Sequence, residues 1–143
     1  MKDDGAAKPA STSREAVLFV DDEPAILAGF CDALRKEAYE ILTATSAALA
    51  LDVLSRTHVD VVVSDECMPR MCGSAFLGRV HRDYPDIVRI MLTGEASLAA
   101  SVRAINDGLY RFLGKPVQHE ELSRVIRDAL KMKNLGVDNT KRR

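Results

Sequence analysis

The sequence predicts a doubly wound α/β sandwich, a five-stranded parallel sheet covered on both faces by five helices. Three observations carry this. From Glu15 onward, short runs dense in Val, Ile and Leu alternate with stretches of helical period. Most of those short runs are apolar without alternation, the pattern of parallel strands buried on both faces. The strand-then-helix unit recurs five times, and parallel neighbours need such crossovers to connect them.

Strands are expected at 16–20, 40–44, 59–64, 87–92 and 109–113. Pro24 suits an initial helical turn, and the first helix places Ile26, Phe30, Ala33 and Leu34 on one face at i, i+4, i+7 and i+8. Weaker helical patterns fit 47–55, 74–83 before Pro85, and 97–107, where Leu98, Val102 and Ile105 align ahead of a capping Gly108. The last helix carries Leu122, Val125, Ile126, Ala129 and Leu130 in one stripe. Gly73 and Gly108 are expected to supply backbone conformations that other residues resist. Residues 1–14 show no apolar periodicity and read as a mobile leader, 15–133 as one domain, and 134–143 as a frayed basic end.

Length and charge narrow the function. A chain of 143 residues suits one hydrophobic core. Twenty basic against 21 acidic residues give a net charge of −1, which argues against a globally basic nucleic-acid binder. No apolar run approaches the roughly 20 residues of a membrane span, and the N-terminus lacks the apolar core of a secretion signal. A cytoplasmic location is therefore expected. Cys31, Cys67 and Cys72 are odd in number and read as free thiols.

In an open α/β sheet the active crevice lies beyond the carboxyl ends of the strands. Those ends are chemically distinctive here. Strand one leads into Asp21, Asp22 and Glu23, strand three into Asp65 and Glu66, strand four into Thr93 and Gly94, and strand five into Lys115 and Pro116. If strands one and three are neighbours, Asp21, Asp22 and Asp65 converge, and like charges so close raise one another's pKa unless a cation intervenes. Carboxylates, a backbone carbonyl and waters describe an octahedral Mg²⁺ site with room for a phosphate oxygen. Lys115 adds a second positive charge and Thr93 a hydroxyl donor, completing a pocket for an anionic phosphoryl group. Singly, each feature has an ordinary explanation: acids cap turns, Thr-Gly makes a turn, and Lys-Pro is an exposed loop. Four functional types at four strand ends on one sheet edge make the signal.

Over residues 15–133 the chain resembles the receiver domains of bacterial two-component response regulators. The resemblance rests on LFVDDEPAI, VVVSDECMPRMCG, IMLTGEA and YRFLGKPV, in that order and spacing. It implies a flavodoxin-like sheet of order 2-1-3-4-5 and a signalling domain rather than an enzyme, with autophosphorylation and autodephosphorylation as intrinsic reactions. By position, Asp65 is the implied phosphoacceptor. Asp21, Asp22, Asp65 and the backbone carbonyl of Cys67 form the implied shell for Mg²⁺, with Mn²⁺ as a substitute. Lys115 would pair with phosphoryl oxygens. Thr93, next to Gly94, would move toward them and vacate space for Phe112 as the aromatic switch, ahead of Tyr110. Cys67 and Glu95 occupy the positions that tune phosphate lifetime, and the Lys115–Pro116 bond is expected to be cis. The implied partners are a sensor histidine kinase or phosphotransfer protein, an output domain or partner protein, and a second copy through the fourth helix, fifth strand and fifth helix, with no direct nucleic-acid or membrane contact. The segment around IMLTGEA and YRFLGKPV is similar to receivers preceding HD-type phosphodiesterases or hydrogenase-type transcription regulators, so a stand-alone receiver and a piece of a longer regulator both stay open.

The chain departs from the family where Met71, Cys72 and Gly73 replace Met-Asp-Gly, removing one acid from the acceptor loop. Glu66 adds negative charge beside the acceptor. Thiols near a bound cation invite redox sensing at Cys67 and Cys72, but the surrounding acids argue against a low thiol pKa. Three rival readings are weaker. A haloacid dehalogenase-like phosphatase places its nucleophile after strand one in an Asp-x-Asp pattern, whereas this chain has Asp21-Asp22-Glu23-Pro24 and no evident cap domain. A nucleotide- or flavin-binding module would show a glycine-rich turn after strand one. A receiver acting only as an interaction surface, without phosphorylation, is opposed by the presence of every expected site residue.

Overall fold

The computed structural model describes residues 14–94 and 111–134. Its strands are β1 (Ala16–Val20), β2 (Glu40–Ala44), β3 (Val61–Asp65), β4 (Val88–Thr93) and β5 (Arg111–Gly114). The described helices are α1 (Pro24–Ala33), α2 (Ala47–Arg56), α3 (Gly73–Asp83) and α4 (His119–Asn134). All strand pairings are parallel and the sheet order is β2-β1-β3-β4-β5, the flavodoxin-like 2-1-3-4-5 arrangement. The helix expected at 97–107 lies outside the described residues.

Every residue of β1, β3 and β4 is buried, which is why those runs carry Val, Ile and Leu without polar alternation. Successive side chains point to opposite faces, and the two faces form two cores. One packs Val17, Phe19, Val61, Val63, Ile90, Leu92 and Leu113 against Leu27 and Phe30 of α1, Leu34 just after it, and the stripe of α4. The other packs Leu18, Val20, Val62 and Met91 against Ala47, Ala50 and Leu54 of α2 and Phe76, Leu77 and Val80 of α3. The α4 stripe is as expected, with Leu122, Val125, Ile126, Ala129 and Leu130 all buried.

Helix α1 is rotated from its expected phase. Its buried residues are Leu27 and Phe30, followed by Leu34, whereas Ile26 is 41% exposed and Ala33 faces solvent. Phe30 and Leu34 are buried as expected, but the spacing Leu27, Phe30, Leu34 is as good a helical stripe as the one through Ile26, and periodicity alone does not choose between them.

At each end of the expected domain, the adjoining residue also makes a described contact. Arg14, assigned to the leader, donates from Nε to Ala38 O at 3.2 Å and from Nη2 to Tyr39 O at 3.1 Å. Asn134, assigned to the tail, closes α4 and donates to Glu15 Oε2 at 2.6 Å. Residues 1–13 and 135–143 lie outside the described residues. At this rim of the sheet, Asp60 accepts from Ala16 N–H at 2.9 Å and sits 2.8 Å from His58 Nε2. No described helix is long and apolar enough to cross a membrane.

Candidate functional site

The sheet brings Asp21, Asp22 and Asp65 together, because β1 and β3 are hydrogen-bonded neighbours. One carboxylate oxygen from each lies within 4.8 Å of the others, with Asp21 and Asp65 buried and Asp22 exposed. Asp65 is the last residue of β3 and stands opposite Leu92. Thr93 ends β4 opposite Gly114, and the Lys115 N–H donates to Thr93 O at 2.9 Å. From there the Lys115 ammonium turns back onto Asp65 Oδ1. The Lys115–Pro116 peptide bond is cis.

Electrostatics follow from this crowding. Burial raises the Asp21 carboxyl above its ordinary pKa; the Glu23 N–H, 2.9 Å from Oδ1, opposes the rise, the charge of Asp65 adds to it, Lys115 opposes it and Asp22 adds to it. Burial pulls the Lys115 ammonium down, but its hydrogen bond to Asp65 and the charges of Asp65 and Asp21 outweigh this, so its pKa lies above the ordinary value. One ammonium faces three carboxylates, and that excess of hard oxygen donors fits a divalent cation. Asp21→Asn is accordingly expected to lower Mg²⁺ affinity about tenfold, read by calorimetry. The same change should raise the melting point of the metal-free protein. The sign follows from linkage. An acid whose folded pKa is raised loses stability as pH climbs above its unfolded pKa, the loss persists at neutral pH, and the amide removes it while its oxygen still accepts from Glu23.

Thr93 is 5% exposed and its hydroxyl donates to Gly94 O at 3.2 Å. Cys67, exposed, lies in the loop between β3 and α3. Glu95, Tyr110, Gly108 and the Phe112 side chain lie outside the described residues. Cys31, Cys67 and Cys72 are free thiols. At Cys72 the Ser74 hydroxyl, 3.3 Å from Sγ, and the Ala75 N–H hold the thiol pKa below its ordinary value, while burial and the charge of Glu66 oppose them as expected of a neighbouring acid.

Two features were not read from the sequence. Beside the acids lies an open cavity of about 500 Å³, with Asp21 and Lys115 on its polar side and Ile26, Phe30 and Val117 on its apolar side. Ile26 in that apolar wall is the α1 residue that the sequence placed in the core and the structure leaves 41% exposed. In the loop between β3 and α3, the left-handed residue is Arg70, with φ 73°, among the described non-glycine residues the one with positive φ.

The family model described as the response regulator receiver domain matches residues 17–127. The chain belongs to the response regulator receiver domain family. Receiver domains generally bind Mg²⁺ through an acidic pocket, and a cluster of three aspartates is present here. The receiver is 36% identical over 122 residues to the transcriptional regulatory protein GlrR of Escherichia coli K12, covering 85% of this chain and 28% of that protein. It is 33% identical over 132 residues to the hydrogenase transcriptional regulatory protein HoxA of Cupriavidus necator, covering 90% of this chain and 27% of that protein. The receiver thus spans little more than a quarter of either relative. Among solved structures it matches the signal receiver domain of an HD domain-containing protein from Pseudomonas fluorescens Pf-5, with 37% identity, a TM-score of 0.81, and coverage of 85% of this chain and 98% of that one.

Proposed function

We propose that this receiver takes a phosphoryl group onto Asp65 from a sensor histidine kinase or phosphotransfer protein, with Mg²⁺, or Mn²⁺ in its place, as cofactor. The observation that carries the reading is the Lys115 ammonium seated on a buried carboxylate within a cluster of three. Such a carboxylate is a nucleophile with a cation already beside it to receive the incoming charge. An Asp65 oxygen forms the bond to phosphorus as the donor's leaving group departs with its electron pair, and the product is an acyl phosphate. Lys115 then exchanges its carboxylate contact for a phosphoryl oxygen. The Thr93 hydroxyl turns from Gly94 O to donate to another. Asp21, Asp22, Asp65 and the Cys67 carbonyl would hold the metal, which when bound neutralises charge on the transferring oxygens.

Phosphorylation replaces the single negative charge of the carboxylate with about −1.5 to −2 on the phosphoryl group at neutral pH, and biases a two-state surface. In this reading Phe112 fills the space Thr93 leaves, Cys67 and Glu95 set the phosphate lifetime, and the surface of the fourth predicted helix, β5 and α4 meets an output domain, a partner protein or a second copy. The unit over 15–133 acts in the cytoplasm as a signalling domain. The cavity walled by Ile26, Phe30 and Val117 offers the phosphodonor an apolar seat next to Lys115. Intact mass after incubation with Mg²⁺ and acetyl phosphate is expected to rise by about 80 Da, one phosphoryl group, and EDTA should prevent the gain. No gain in folded protein would overturn the reading in favour of an interaction surface that works without phosphorylation.

A further inference from the structure

Gly73 opens α3 where the helix runs against the backbone of the phosphoacceptor. A Cβ placed on it would lie 2.1 Å from the Asp65 carbonyl oxygen, 2.8 Å from Glu66 Cα and 2.9 Å from the Asp65 carbonyl carbon. All three are backbone atoms, so no side chain can swing aside to make room. Its φ is not left-handed, which corrects the expectation of a special backbone conformation: the requirement is space. The close approach lets the Gly73 N–H donate to Glu66 O at 2.8 Å, while the Glu66 N–H donates to Leu92 O at 2.9 Å. Glu66 is thereby clamped between α3 and β4, and its neighbours are Asp65 on one side and Cys67 on the other.

We propose that Gly73 is a positioning residue, whose missing side chain lets α3 close on the Asp65–Glu66 backbone and so aims the Asp65 carboxylate and the Cys67 carbonyl at one cation and one phosphoryl group. This rests on the phosphoacceptor reading. Helical glycines are not crowded in general here, since an added Cβ at Gly78, in the same helix, or at Gly29 meets nothing within 4 Å. Alanine favours helical backbone over glycine, so Gly78→Ala should be neutral or stabilising, and only position 73 should reverse the sign.

The test compares Gly73→Ala and Gly78→Ala with wild type in the full chain. It reads Mg²⁺ affinity by calorimetry with the metal alone, labelling by acetyl phosphate at saturating Mg²⁺, and the urea midpoint to fix the folded fraction. Gly73→Ala is expected to lose about tenfold or more in both Mg²⁺ affinity and labelling rate per folded molecule, the range for groups that orient metal ligands. The acetyl phosphate concentration for half-maximal rate should not move, and Gly78→Ala should match wild type. Wild-type affinity and rate in Gly73→Ala overturn the proposal. Should that variant not fold, hydrogen exchange on wild type decides: the Gly73 amide is expected to exchange as slowly as β3 amides, and exchange at the rate of an unprotected loop amide overturns the clamp. Wild type that binds Mg²⁺ but takes no label removes the phosphoacceptor reading instead, and the role of Gly73 is then read on Mg²⁺ affinity alone.

Discussion

Asp65→Asn is expected to take up no phosphoryl group from acetyl phosphate, with labelling at least about a thousandfold below wild type by intact mass. The amide preserves the shape of the side chain at a site only 4% exposed and removes the nucleophilic charge. Neither neighbour can replace it. Asp21 is held by the Glu23 N–H and its burial disfavours the ionised form, while Asp22 is exposed and has no ammonium seated on it among the described contacts. Circular dichroism of the variant should match wild type. Labelling within about tenfold of wild type would move the acceptor role to another oxygen of the cluster.

Lys115→Ala is expected to slow labelling by about 100- to 1,000-fold, the usual cost of removing one preorganised donor from developing charge. The acceptor stays chemically intact, so long incubation should still reach the full mass gain. Because Asp65 and Asp21 together hold the ammonium's pKa above its ordinary value, the lysine is charged throughout the neutral range, and the rate should not titrate with it there. Lys115→Arg should fall between the two, since a planar fork keeps the charge but not its compact placement. An alanine variant that labels at the wild-type rate would mean that Lys115 is only a structural counter-ion.

Much of this was legible because the sheet buries both faces, leaving unbroken apolar runs whose ends are marked by Asp21, Asp65, Thr93 and Lys115. The errors have physical causes. The runs at 59–64 and 87–92 pair one or two residues later, as Val61–Asp65 and Val88–Thr93, since hydrogen-bond register with neighbours decides where pairing starts. Asp65 and Thr93 therefore belong to the ladder itself. Arg89, in the middle of β4, is 1% exposed and donates to Leu77 O at 3.1 Å, a buried charge that no apolar pattern announces. The phase of α1 needed the cores to select Leu27 over Ile26. The crowding at Gly73 was invisible because it lies between α3 and the backbone at the end of β3, a proximity created by the turn.

The placement of Asp65, Thr93 and Lys115 at the ends of three neighbouring strands turns the sheet into a ruler. Parallel neighbours run about 4.8 Å apart, so Thr93 stands one division from Asp65 and Lys115, just past β5, stands two. A short hydroxyl suffices at one division. At two, only a cation on a long flexible stem reaches back to the carboxylate, as Lys115 does. The edge of the sheet thus sorts its residues by length as well as by charge, and a shorter donor after β5 would be stranded however well it matched the chemistry.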